Sequence, residues 1–98
     1  MTELSIFIDG MLSGTGIRDA KNGGYLETDE LGLSDELAHR ISAWLSAYED
    51  AHFYQYEDKA SNEALDLEGL NIARAVRAEL PAARVGYFSN ANMCEMNI

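Results

Sequence analysis

Glycine-rich loops placed directly after a strand are where phosphate sites are built, and this chain carries a candidate. Five glycines lie between Gly10 and Gly24, after the apolar run Leu4-Ser5-Ile6-Phe7-Ile8-Asp9. Gly14-Thr15-Gly16 opens a G-x-G-x-x-G pattern, but Asp19 stands where the third glycine belongs, and no lysine–serine pair of a P-loop follows. No helical pattern starts directly after the loop, so the free amides that hold phosphate are missing. The glycines then read as positions that permit positive φ in an ordered loop. Asp9 ends the apolar run, a place where catalytic acids occur, and it equally suits a loop-capping hydrogen bond. A small enzyme or nucleotide-binding domain using Asp9 and the 10–24 loop is therefore the alternative reading. His39 and His52 are too far off a common helical face to share a metal, and no cysteine or regularly spaced carboxylate accompanies them. Cys94 has no histidine near it in sequence and reads as a small apolar residue. No serine sits in Gly-x-Ser-x-Gly. The sequence thus assigns no catalytic residue, no metal and no cofactor.

A different kind of chemistry is concentrated in the middle of the chain. Tyr48, His52, Phe53, Tyr54 and Tyr56 are interleaved with and followed by carboxylates. Tyrosine is enriched at the centres of protein interfaces, and carboxylates around it accept bidentate bonds from arginine. Glu49, Asp50, Tyr54, Tyr56, Glu57, Asp58, Glu63, Asp66 and Glu68 are the candidate partner-binding residues, with Tyr48 assigned to the core. The net charge is −10, and all of it lies here: twelve acids and two bases, Arg40 and Lys59, fall between Glu27 and Glu68. Elsewhere five acids are offset by five bases. Such a field keeps a protein soluble, repels nucleic acid phosphates and attracts basic surfaces.

The elements that must position these residues follow from periodicity. At 98 residues and 47% apolar composition the chain is a single globular domain, 1–98. No run approaches the ~20 apolar residues of a membrane span. The acidic Met1–Ser5 start does not resemble a secretory signal, and a lone cysteine suits a reducing compartment, so a cytoplasmic protein is expected. Alternation predicts a strand over 4–9, and Asn22-Gly23-Gly24 predicts a turn with a short arm at 25–27. Ser34 is an N-cap for a helix whose inner stripe is Leu37, Ile41, Trp44, Leu45 and Tyr48, and whose period fails after Asp50, with a possible extension to about Tyr56. A second helix is expected to begin between Ser61 and Asp66, to bury Leu65, Gly69, Ile72, Ala73, Val76 and Leu80, and to stop at Pro81. Residues 84–89 read as a strand and 93–98 as a final edge strand. The fold class is α+β, or a small α/β fold: a small sheet with two main helices packed on one face, in the order β-loop-(β)-α-α-β-(β).

Three stretches carry a family likeness. They are Ile6-Phe7-Ile8-Asp9-Gly10-Met11-Leu12-Ser13-Gly14-Thr15-Gly16-Ile17-Arg18-Asp19, Trp44-Leu45-Ser46-Ala47-Tyr48-Glu49, and Leu65-Asp66-Leu67-Glu68-Gly69-Leu70-Asn71-Ile72-Ala73 with Val85-Gly86-Tyr87-Phe88-Ser89. Together they resemble the immunity proteins of bacterial contact-dependent growth inhibition (CdiI-type) systems. The resemblance implies a non-enzymatic inhibitor, acting in the cytoplasm, that binds the C-terminal toxin domain of a cognate effector. Many such toxins are nucleases with basic grooves, often acting on transfer RNA. An acidic protein binding one-to-one would occlude such a groove, with no direct contact to nucleic acid or membrane. An oligomeric scaffold whose aromatics pair with themselves is the third possibility.

Overall fold

Period-two alternation puts Ile6 and Ile8 on one side of the strand Ser5–Asp9 (β1), and both are buried. The computed structural model describes residues 4–11, 14–96 and 98. Residues 1–3 of the expected acidic start, positions 12 and 13 of the glycine loop and position 97 of the expected last strand lie outside them. Five elements follow β1: strand Ile17–Asp19 (β2), helix Asp35–Phe53 (α1), helix Lys59–Glu79 (α2), strand Arg84–Ser89 (β3) and strand Cys94–Met96 (β4). The sheet order is β2-β1-β3-β4. β1 runs antiparallel to β2 and parallel to β3, and β3 runs antiparallel to β4. Parallel neighbours need a long crossover. Here the α1–α2 hairpin is that crossover, and the α+β class stands.

Register decides the core. Ile8 lies opposite both Ile17 and Tyr87, and Ile6 opposite Val85, so these side chains share a face. Leu37, Ile41, Trp44 and Tyr48 of α1 and Ile72, Ala73 and Val76 of α2 complete the buried cluster over it. The other face carries Phe7 and Phe88, with the Arg18 guanidinium 5.4 and 5.2 Å from their ring centres. Ser34 caps α1 by accepting from Leu37 N–H, and its own N–H and hydroxyl donate to Glu79 at 2.7 and 2.8 Å. The start of α1 is thereby tied to the end of α2.

Three expectations are corrected at their edges. The 10–24 loop contains β2, whose three residues are too few to show alternation in sequence. The expected arm at 25–27 is reduced to one antiparallel bridge, Tyr25 to Arg18. α2 starts at Lys59, ahead of the Ser61–Asp66 window, because Asp58 is its N-cap and accepts from Ser61 N–H at 3.2 Å.

Candidate protein-binding surface

The run Phe53-Tyr54-Gln55-Tyr56 ends α1 without a glycine. Gln55 N–H donates to His52 C=O at 3.0 Å and Tyr56 N–H to Ala51 C=O at 2.9 Å, the bond pair of a Schellman motif. That motif needs a left-handed residue after the cap, usually glycine. Here Gln55 (φ 56°) and Tyr56 (φ 57°) both adopt it, at about 1–2 kcal/mol each. The tight turn throws two rings outward. Phe53 is 77% and Tyr54 65% exposed, in edge-to-face contact with ring centres 5.1 Å apart. Tyr56 turns inward, half-buried, against Tyr48 at 6.0 Å and His52 at 5.7 Å. Burial raises its hydroxyl pKa, and the carboxylates of Asp66 and Asp9 add to the effect.

A groove of about 570 Å³ opens between the end of α1 and the start of α2. Asp50, Tyr54, Tyr56, Glu57 and Asp58 line it, so five of the nine candidate binding residues converge here. Asp58 is held rigidly: Ser61 donates to it through N–H at 3.2 Å and through Oγ at 3.1 Å, and the backbone bond pulls its carboxyl below the ordinary 3.8. Glu49 is half-buried one position before Asp50 on α1, and Glu63 is exposed in the second turn of α2. Glu68 is engaged elsewhere. Arg40 of α1 grips it with bonds of 2.8 and 2.9 Å, which lowers its carboxyl pKa. Among the described residues the two ion pairs, Arg40–Glu68 and Arg18–Asp9, use none of the groove carboxylates.

Asp66 requires correction. It is only 4% exposed, so it is not part of any surface. Tyr48 and Tyr87 hydroxyls donate to its Oδ1 at 2.8 and 2.6 Å. Ser89 Oγ and Asn92 Nδ2 donate to Oδ2 at 2.7 and 3.1 Å. A carboxylate taken out of water needs such donors. Burial, with the Asp66 contact second, pushes the Tyr87 hydroxyl pKa far up; burial likewise raises that of Tyr48, so both remain donors. The Tyr48 hydroxyl also accepts from Ala91 N–H at 3.1 Å. One carboxylate therefore ties α1, α2, β3 and the β3–β4 turn together.

The glycine loop is built for packing. A Cβ on Gly10 would stand 2.6 Å from the Tyr48 ring, and one on Gly16 2.8 Å from Ile41. Asp9 is fully buried. Its Oδ1 accepts from Met11 N–H and Asn90 Nδ2, both at 2.8 Å. Its Oδ2 faces Arg18 Nε at 3.2 Å, an ion pair without hydrogen-bond alignment. Closing the loop occupies this carboxylate, and strand β2, not a helix, follows Gly14-Thr15-Gly16.

The family described as Serratia CdiI immunity protein-like matches residues 6–90. The chain belongs to this family. The match runs from β1 past the end of β3, so the groove and all of the Asp66 cluster except Asn92 fall within the immunity protein-like region. Neither the curated proteins nor the solved structures offer a match. Among the described residues no helix is long and apolar enough to cross a membrane. Phe53 is the surface residue that sequence reasoning left out of its binding set. Its signal was its place in the aromatic run where the helical period breaks.

Proposed function

We propose that this member of the family neutralises the C-terminal toxin domain of a cognate contact-dependent growth inhibition effector by binding it one-to-one in the cytoplasm. In this reading the acidic, aromatic junction of α1 and α2 covers the basic substrate groove of a nuclease. No catalytic residue takes part; inhibition is steric, with electrostatic steering of the encounter. The observation that carries the reading is the edge-to-face pair Phe53–Tyr54 standing in solvent, with Tyr54 in one groove with Asp50, Glu57 and Asp58, three carboxylates that enter no ion pair among the described residues. Aromatic anchors ringed by uncompensated charge are what a basic protein surface would dock against.

The test is co-expression with the toxin domain encoded beside this chain. Restored growth, intact cellular RNA and a 1:1 complex are expected. Association should approach ~10⁸ M⁻¹s⁻¹ at low salt and fall steeply between about 0.05 and about 0.5 M salt. A toxin that kills regardless of this chain refutes the function. A salt-independent association rate refutes the steering.

A further inference from the structure

We propose that the groove at the α1–α2 junction is a receptor for one arginine side chain presented by the basic partner. This rests on the toxin-binding reading and gives that surface its recognition chemistry. At about 570 Å³ the groove falls within the ~300–1,000 Å³ of sites that enclose a small group. Its floor is apolar, built from Ala47, Ala51, Ala64 and Leu65. Tyr54 and Tyr56 form a wall, and Asp50, Glu57 and Asp58 bring negative charge.

An apolar floor under an anionic rim fits a side chain with a hydrocarbon stem and a cationic head. A purely apolar occupant would desolvate the carboxylates and leave them unpaired. The aromatic wall then favours arginine over lysine, because a planar guanidinium stacks on tyrosine and bridges carboxylates bidentately. Asp58, immobilised by Ser61, is ready for this without further ordering, while Asp50 and Glu57 enter no ion pair among the described residues. Asn62, which also lines the groove, donates through Nδ2 to Tyr56 C=O at 2.8 Å and so ties the start of α2 to the turn after α1.

Amide-resolved NMR of the full chain, titrated with the peptide acetyl-Gly-Arg-Gly-amide, tests this. Shifts confined to Ala47, Ala51, Ala64 and the Asn62 side chain are expected, with the matching lysine peptide binding about tenfold more weakly. Ala64→Leu fills the floor and should abolish the shifts. The near-isosteric pair Asp50→Asn with Glu57→Gln, which leaves the floor unchanged, should weaken binding at least about tenfold. Absent shifts, equal binding of the two peptides, or shifts that survive both variants would overturn the proposal. If the peptide fails while the chain still neutralises its toxin, only the arginine site falls. If the peptide binds and no toxin complex forms, the site stands and the toxin reading falls.

Discussion

At the α1–α2 junction Asp50, Glu57 and Asp58 face solvent outside the ion pairs of the described residues, whereas two turns further along α2 Asp66 is buried and takes four hydrogen bonds. The two regions share one residue chemistry and opposite surroundings. Around Asp66, donors arrive from three other parts of the chain and fix the carboxylate for stability. At the junction α1 ends and α2 begins, and among the described residues no cation pairs with their acids, although Ser61 holds Asp58 as the cap of α2. Position in the fold, more than residue type, separates the buried carboxylate from the solvent-facing ones here.

The comparison breaks most severely at Asp66→Ala. It strands the Tyr48, Tyr87, Ser89 and Asn92 donors around a new void, so a loss of about 3–5 kcal/mol in urea unfolding is expected. At the junction the effect should fall on binding alone. Phe53→Ala or Tyr54→Ala should change stability by no more than about 0.5 kcal/mol. Each should nonetheless weaken the toxin complex by about 30-fold, measured by calorimetry, as loss of a central aromatic anchor does. Equal losses of stability and binding at both regions would erase the distinction drawn between them.

Two smaller effects sharpen it. Asp58 also caps α2, so Asp58→Ala should lower Tm by a few degrees, while Asp58→Asn keeps the cap. The folded carboxyl titrates below its ordinary 3.8 because Ser61 N–H bonds to its charged form. Its contribution to stability is therefore fully present above that value and fades as pH falls through the lower, folded one. The difference in acid stability between the wild type and Asp58→Asn should vanish in that window, followed by thermal unfolding across pH. Least of all, Gln55→Gly should stabilise the chain by about 0.5–1 kcal/mol in urea unfolding, since glycine occupies the left-handed position without a Cβ clash.

Local patterns carried far in this chain. Ser34 was legible as a cap, Leu37 to Tyr48 and Leu65 to Leu80 as inward stripes, and 84–89 as a strand, because periodicity and capping depend on neighbours within a turn or two. The aromatic run also marked the end of α1 correctly, since consecutive bulky groups cannot share one helical face. The sequence by itself determined these elements, the α+β class and the excess of acid in the middle of the chain. It held a clue to Asp66 as well, because that residue lies three before Gly69 on the inner stripe, yet a carboxylate reads as surface until its donors are known. Only tertiary structure decided its role, because those donors come from residues 18 to 26 positions away, beyond the reach of any local pattern. The same holds for the groove: its lining comes from two helices and the turn between them, which meet only after α1 and α2 fold back on one another.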